Sequence, residues 1–460
     1  MRGLTGLVPL AGHDDDVARS GTGDRGGDRG LPIDHRHDIA AGACFVALHG
    51  DRDGRDFVPA AFSAGASVAL VSAPAPKVTP PAGAAIVEVA DALRALQTVA
   101  ATDRLARSEL RVVAVAGSTG KTSTKDLLAA LLAPLGCYAN PASYNNEFGL
   151  PITLLNAPVE ARVVVAEMGE RFPGDVTALC AIARPDSGVV TNVGLAHAEH
   201  LGGASGAAKA MSELLEALPR GGVAVCNADD EWTPHLTAAD GVVVVTAGTD
   251  AGADYRIEDV RLDEQLRPSF SLLGRRFTVP LRGEHQAVNA ALALALAHRA
   301  FDIDLDAAAD ALAAVQPARW RLEVDASAAG ITVLNDTYNA NPASMDAALR
   351  ALASTPTVGR RIAVLGDMRE LGVHSDDAHA AVGVRAGELH LDALVGVGAG
   401  GRAIATAAAA TVPEVRTAPD APTALEMVRE MAEPGDTVLV KASRAMGLEV
   451  VAAQLLEAAP

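Results

Sequence analysis

A glycine-rich turn between an apolar run and a helix-like stretch is the feature that most constrains how this chain folds. The turn reads Gly-Ser-Thr-Gly-Lys-Thr over 117–122, after the β-branched run 111–116 and before the helical pattern of 123–132. A strand, a glycine turn and a helix that opens with Lys-Thr present backbone N–H groups and a positive helix end to phosphate groups. The pattern therefore predicts an α/β sheet that binds a nucleoside triphosphate, ATP or GTP.

The spacing of this loop is short. Ser118 and Thr119 alone separate Gly117 from Gly120, whereas the general phosphate loop places four residues there. We expect the Lys121 ammonium to reach the β- and γ-phosphates and the Thr122 hydroxyl to ligate Mg²⁺. The alternative is a structural glycine turn with a solvated lysine. The residues predicted to contact the nucleotide are Gly117, Ser118, Thr119, Gly120, Lys121, Thr122 and Ser123.

Composition excludes several classes of protein. With 460 residues the chain should divide into about three domains. A formal charge of -19 argues against nucleic-acid binding, which needs clustered Lys and Arg to neutralise phosphates. Apolar stretches fall short of the ~20 residues that a membrane helix needs, so we expect a cytoplasmic protein without a membrane span.

Periodicity predicts three domains, at 1–108, 109–316 and 317–460, with residues 1–30 poorly ordered and order beginning near Leu31. The central region alternates strands and helices, which indicates a mainly parallel sheet with helices on each side, and the last region repeats that alternation. Strands are predicted at 44–48, 66–72, 111–116, 162–166, 188–191, 223–226, 331–334, 361–365, 393–397 and 437–440, and helices at 57–64, 91–107, 123–132, 173–182, 204–218 and 287–300.

Two polar residues follow strands of the central region, where doubly wound sheets bind their ligands. Glu167 comes directly after a strand and can ligate the Mg²⁺ that bridges the phosphates, or it is a solvated strand-end carboxylate. His197 lies in the segment 191–197 after the next strand. It could contact a second metal ion, but residue chemistry alone favours a loop histidine bonded to backbone.

Several segments carry motifs that can be compared with known families: 116–125, 144–151, 167–169, 192–197, 335–345, 365–372 and 439–444. Together they resemble the Mur ligases of cell-wall synthesis. The resemblance covers the chain from about Leu31 to its end, with the motifs in the family's order. Segment 335–345 resembles the members that add D-alanyl-D-alanine to UDP-N-acetylmuramoyl-tripeptide, rather than those that add single amino acids.

The resemblance implies a nucleotide-sugar domain, a central ATPase and a C-terminal Rossmann-like domain in a monomer that uses ATP and Mg²⁺. It implies phosphorylation of the tripeptide carboxylate by ATP, followed by attack of the dipeptide amine on the acyl phosphate. The catalytic residues would be Lys121, Glu167, His197 and Arg321, the metal ligands Thr122, Glu167 and His197, and the further nucleotide contacts Asn289, Arg321 and Asp336. The substrate-binding residues would be Asp34, Arg36, Asn145, Asn146, Tyr338, Asn339 and Asn341.

The chain departs from the family at one ligand of the second metal ion. Counted without gaps from His197, the family's carbamylated lysine falls on Met211, and a thioether cannot replace a carbamate on a hard cation. Lys209 and Glu213 should point elsewhere on the helix. The sequence therefore leaves open a paralogue that joins another acid to another amine, and an inactive paralogue that only binds.

Overall fold

The computed structural model describes residues 7–10, 39, 41–50, 52–140 and 143–457. These residues fall into two compact units. The first unit takes in Met1–Val112, Gly136–Met168 and Ala178–Arg184, and the second takes in Val113–Leu135, Gly169–Thr177 and Pro185–Pro460. The proposed division at residues 108 and 316 stays a prediction.

The first unit contains a four-stranded parallel sheet of β1 (Leu7–Leu10), β2 (Cys44–Ala47), β3 (Val68–Ser72) and β4 (Ala85–Val89), in that order. Alternate residues of β2 enter two different cores: Phe45 packs in one and Val46 in the other. The sheet is therefore covered on both faces, as its apolar sequence predicts. The other elements of this unit are α1 (Val58–Ser63), α2 (Ala92–Ala106), β6 (Cys137–Ala139), α4 (Gly149–Asn156) and β7 (Val163–Glu167).

One short strand, Leu7–Leu10, lies within the segment 1–30 that was predicted to be poorly ordered. Its four residues pair in parallel with Cys44–Ala47, from Leu7 opposite Cys44 to Leu10 opposite Ala47. Pro9 is compatible with this strand because the strand lies at the edge of its sheet, where one side of the backbone needs no partner. The remainder of the predicted poorly ordered segment lies outside the described residues.

In the second unit, the strands around the phosphate loop run in the order β13, β12, β11, β10, β9, β8, β5. Pairs from β5 to β11 are parallel, whereas β11, β12 and β13 are antiparallel. The strands are β5 (Arg111–Ala116), β8 (Ser187–Val190), β9 (Val223–Asn227), β10 (Val243–Gly248), β11 (Tyr255–Leu262), β12 (Pro268–Leu272) and β13 (Arg275–Thr278). The helices are α3 (Lys121–Leu132), α6 (Ala198–Leu201), α7 (Ala204–Ala217), α8 (His285–Phe301) and α9 (Leu305–Ala313); the residues of α5 (Asp175–Ala183) are divided between the units.

The C-terminal part of the second unit holds a six-stranded sheet in the order β14, β15, β19, β16, β17, β18. All neighbours are parallel except β14 and β15. Val364 and Val438 face one core, whereas their neighbours Leu365 and Leu439 face another. The elements are β14 (Glu323–Ala326), β15 (Thr332–Asn335), α10 (Pro342–Ser354), β16 (Arg361–Leu365), α11 (Ser375–Glu388), β17 (Ala393–Val397), α12 (Gly398–Ala408), β18 (Glu414–Ala418), α13 (Ala421–Met431), β19 (Thr437–Lys441) and α14 (Glu449–Leu456).

The predicted α/β class with parallel-rich sheets is confirmed. Strands β4, β6, β10 to β14 and β18 are not among the strands predicted one by one; of these, β4, β6, β14 and β18 are short or half exposed. Helix α3 begins at Lys121, two residues before the predicted start. Among the described residues, the helices are all too short or too polar to cross a membrane.

Candidate active site

The phosphate loop follows β5 and ends where α3 begins. Gly117 and Gly120 have backbone φ angles of 136° and 80°, a region that side chains strongly disfavour. A Cβ atom on Gly120 would lie 2.6 Å from Oδ1 of Asn289. Glycine is therefore required there for two reasons, and Asn289, on α8, lies directly against the loop.

The segment after β8 fixes the loop from the other side. Asn192 accepts hydrogen bonds from the backbone N–H of Thr119 at its side-chain oxygen (2.8 Å) and from the N–H of Ser118 at its carbonyl (3.1 Å). The N–H of Gly194 donates to the hydroxyl of Ser118 at 2.8 Å. These bonds hold the loop in a defined shape before any ligand arrives, which lowers the entropy lost on binding.

Lys121 pairs with a carboxylate that the sequence reasoning missed. Its ammonium lies 3.2 Å from Oε2 of Glu170 and also donates to the carbonyl of Gly117. The Glu170 side chain is fully buried, and this burial raises its pKa, while the charges of Lys121 and His197 act in the opposite direction. The one feature of the sequence that could have indicated a role for Glu170 is its position directly after Glu167-Met168-Gly169. This stretch has no helical or strand periodicity.

Arg321 contacts the start of α3. Its Nη2 donates to the hydroxyl of Thr122 at 2.8 Å, and its guanidinium lies 4.0 Å from the ring centroid of Tyr338. The stacked ring fixes the planar guanidinium, which can pair two phosphate oxygens at once. Three residues predicted for the site, Arg321, Thr122 and Tyr338, are thus brought together.

Asp336 is already engaged by a lysine. Its carboxylate accepts from Nζ of Lys441 at 2.7 Å and from the backbone N–H of Leu322 at 3.1 Å. Lys441 is almost fully buried and also donates to the carbonyl of Asn339 at 2.7 Å. No role for Lys441 was predicted, although this residue lies in the segment 439–444 that carries the resemblance. It shapes the loop on which Asp336, Tyr338 and Asn339 lie.

Asn341 has a clear structural task. Its side-chain oxygen accepts from the N–H of Ser344 at 2.9 Å, and Ser344 bonds back to its backbone, a reciprocal cap for α10. Its Nδ2 donates to the carbonyl of Ser118 at 3.4 Å. The residue therefore joins the phosphate loop to the start of α10.

Glu167, Asn145 and Asn146 belong to the first unit. Glu167 ends β7 and is buried, so it is not the solvated strand-end carboxylate of the alternative interpretation. Nδ2 of Asn145 donates a hydrogen bond to Oε1 of Glu167 at 2.9 Å. The side-chain oxygen of Asn146 accepts a hydrogen bond from the N–H of Gly149 at 2.9 Å, where α4 begins. Asp34 and Arg36 lie outside the described residues.

His197 stands just before α6 and bonds to a side chain. Its Nδ1 donates to the carboxylate of Glu370, whose other oxygen accepts from Nη2 of Arg171 at 2.7 Å. The alternative of a loop histidine bonded to backbone is therefore wrong. The hydrogen bond from His197, followed by the charges of His197 and Arg171, lowers the pKa of Glu370 to about 2.

The helix that should carry the second metal ligand has a buried thioether at the counted position. Met211 on α7 is fully buried, whereas Lys209 is exposed to solvent. Glu213 accepts hydrogen bonds from the N–H groups of Gly174 (2.8 Å) and Thr177 (2.9 Å). Lys209 and Glu213 thus point away from Met211, as predicted from the helical spacing.

Thr122 and Glu167, which lie in different units, each carry an oxygen donor of the kind that Mg²⁺ prefers. In the part of the chain that the structure describes, no three His, Cys, Asp or Glu side chains converge into a metal cage. A buried carboxylate at Glu167 and a hydroxyl at Thr122 are hard oxygen donors. Mg²⁺ in phosphoryl-transfer sites is commonly bound by one or two such groups together with substrate phosphates.

Known proteins of similar sequence and structure match nearly the whole chain. The Mur ligase middle domain matches residues 115–297, and the Mur ligase glutamate ligase domain matches residues 320–444. A UDP-N-acetylmuramoyl-tripeptide:D-alanyl-D-alanine ligase of Mycobacterium tuberculosis H37Rv is 38% identical over 91% of this chain and 90% of its own length. The ligase of that name from Bacillus subtilis 168 is 35% identical over 90% of each chain.

Solved structures agree. A crystal structure of MurF from Acinetobacter baumannii superposes with a TM-score of 0.80 at 29% identity and covers 92% of both chains. MurF of Thermotoga maritima in complex with ADP gives a TM-score of 0.75 at 28% identity, over 92% of this chain and 95% of its own. With a relative at 38% identity across nine-tenths of the sequence, the chain belongs to the Mur ligase family.

Proposed function

We propose that this chain is an ATP-dependent, ADP-forming ligase that joins D-alanyl-D-alanine to UDP-N-acetylmuramoyl-tripeptide in peptidoglycan precursor synthesis. The observation that carries the proposal is the meeting of Arg321 and Asn341 with the phosphate loop at Thr122 and Ser118. An ATP site that combines the phosphate loop with residues of the C-terminal region is what a ligase needs to bring a phosphoryl donor to a second substrate. The named relatives supply the identity of the two substrates.

The reaction has two steps. An oxygen of the tripeptide carboxylate attacks the γ-phosphorus of ATP and ADP leaves, which gives an acyl phosphate. The free amine of the dipeptide then attacks the acyl carbon, phosphate leaves, and the amine proton passes to solvent as the amide forms. Lys121 and Arg321 neutralise charge on the transferring group, which is the main contribution a protein makes to phosphoryl transfer.

The buried ion pair between Lys121 and Glu170 has a role in these reaction steps. Without nucleotide, Glu170 supplies the anion that Lys121 needs. When the phosphates of ATP bind, they replace that carboxylate as partner of Lys121. Thr122 and Glu167 would hold a Mg²⁺ ion, whose charge offsets that of the phosphates, and His197 would hold a second ion.

The remaining residues contact the substrates in this proposal. Asn289, beside Gly120, lies near the adenine, and Asp336 binds the ribose after exchanging one of its present hydrogen bonds. Asn145 and Asn146 bind the tripeptide nucleotide, whose UDP part is held by Asp34 and Arg36. Tyr338, Asn339 and Asn341 line the dipeptide site. The enzyme is a cytoplasmic monomer with domains at 1–108, 109–316 and 317–460.

A substrate-omission assay tests the proposal. Phosphate release from ATP should require both the UDP-muramoyl tripeptide and D-alanyl-D-alanine, because the acyl phosphate forms on one and is discharged by the other. Equal turnover with single D-alanine would overturn the substrate assignment. Turnover with a different acid and amine only would favour the divergent paralogue, and nucleotide binding without turnover under any combination would favour the inactive one.

A further inference from the structure

A short loop after β16 docks on the segment that carries His197. Glu370 of this loop bonds to the His197 ring through its carboxylate and accepts from the N–H of Glu199 at its backbone carbonyl, at 3.1 Å. Leu195, just before the histidine, packs against the core that contains Met368 and Leu371. The two segments are therefore joined by polar and apolar contacts on both sides of the histidine.

Backbone conformation at this contact is unusual for both partners. His197 and Glu370 have φ angles of 54° and 61°, in the left-handed region that residues other than glycine rarely occupy. Such conformations persist where surrounding contacts hold them, and they concentrate at functional sites. His197 and Glu370 thus share a side-chain hydrogen bond, and each also has a backbone conformation that its residue type disfavours.

The bond to Glu370 involves only one nitrogen of the ring. Because an ionised carboxylate only accepts hydrogen bonds, Nδ1 of His197 is the nitrogen that donates in this bond, which leaves Nε2 as the nitrogen that can serve as a ligand. Within the described residues the structure gives Nε2 no hydrogen-bond partner. Arg171 holds the other carboxylate oxygen at 2.7 Å, so Glu370 is itself fixed.

We propose that Glu370 is a positioning residue for a second Mg²⁺ ion, which it serves by orienting His197 with Nε2 available as the ligand. The inference rests on the proposed function for the presence of that ion. Imidazole is a weak ligand for a hard cation, so its value depends on fixed orientation and on the basicity that a carboxylate partner adds. The need is greater here because Met211 offers no carbamate.

The contact also makes the histidine depend on a distant part of the sequence. Glu370 lies within residues 320–444, which match the C-terminal ligase domain, whereas His197 lies within 115–297, which match the middle domain. The metal ligand is in its bonded orientation only when the Glu370 loop is docked. Metal binding and docking of this loop are therefore coupled.

Binding of Mn²⁺ as a paramagnetic stand-in for Mg²⁺, followed by electron spin resonance in the presence of a non-hydrolysable ATP analogue, tests the proposal. Glu370→Ala should weaken the second Mn²⁺ by about 10- to 100-fold, the usual effect of losing a partner of a metal-ligating histidine, and leave the first unchanged. Glu370→Gln keeps an acceptor for Nδ1 and should lose less. Glu388→Gln removes the same charge from an exposed pair with Arg385 and is the matched control.

A double variant separates positioning from general damage. His197→Ala should abolish the second Mn²⁺ site, and Glu370→Ala added to it should change nothing further. Equal weakening of both ions, an effect no larger than that of Glu388→Gln, or a single Mn²⁺ in the unmodified protein would each overturn the proposal. The assay needs no peptide substrate, so it can fail while D-alanyl-D-alanine turnover is normal, or succeed when that turnover is absent.

Discussion

Replacing Lys121 with alanine should affect catalysis and stability for two different reasons. The lysine meets the transferring phosphoryl group, so its loss should lower turnover by about 10³-fold. It also leaves the fully buried Glu170 carboxylate without the cation that now lies 3.2 Å away. Removal of one partner from a buried pair costs about 3–5 kcal/mol when the remaining charge stays.

The stability loss should depend on pH in a defined direction. Burial already raises the pKa of Glu170, and loss of Lys121 raises it further. A carboxyl group with a folded-state pKa above its unfolded value stabilises the fold below the unfolded pKa of about 4.3, and that contribution is lost as pH rises through the folded-state pKa. The variant should thus match the wild type near pH ~4.5 and lose at most about 1.4 kcal/mol per pH unit above it.

Thermal melting by circular dichroism and phosphate release together check this account. With roughly 2 °C per kcal/mol for a large domain, Lys121→Ala should melt about 6–10 °C below wild type near pH ~8. Glu170→Gln in the same chain should recover most of that loss without restoring turnover. Equal melting of Lys121→Ala and wild type at every pH would refute the buried pair, and recovered turnover in the double variant would refute the catalytic role of Lys121.

Two further substitutions test the site. Gly120→Ala should weaken nucleotide binding, measured by calorimetry, by more than Gly221→Ala does. Both glycines have a φ near 80°, but only at Gly120 does the side chain of Asn289 lie where the new Cβ would be. Equal nucleotide affinity of the two variants would count against this close approach. Met211→Lys should lower the Mg²⁺ concentration needed for activity and make activity respond to bicarbonate, since burial disfavours the charged amine and a carbamate would supply the missing carboxylate. Met211→Leu is its control, and bicarbonate dependence of the wild type would show that another lysine fills this position.

Much of the phosphate site could be predicted from sequence because its chemistry is local. The strand, the glycine turn and the helix with Lys121 and Thr122 are consecutive, and the two glycines are required by backbone angles that few other residues adopt. The buried parallel strands could also be predicted from sequence, because both faces of their sheets are covered and their apolar runs are therefore continuous.

The residues that sequence reasoning missed act through contacts between distant segments. Glu170 is a single carboxylate in a loop, and its importance comes from burial beside Lys121. Lys441 and Asp336 are 105 positions apart, and Glu370 and His197 are 173 apart. Periodicity and local motifs carry no information on such pairs, so only the folded arrangement of strand ends reveals them.

The origin of the phosphate oxygen tests the central claim most directly. The terminal carboxylate of the UDP-muramoyl tripeptide is labelled with heavy oxygen, and the protein is incubated with ATP, Mg²⁺ and D-alanyl-D-alanine. An acyl-phosphate ligase must transfer one labelled oxygen to each phosphate released and form one amide bond with the dipeptide for each ADP. Unlabelled phosphate, or labelled phosphate without the D-alanyl-D-alanine amide as product, would contradict the account.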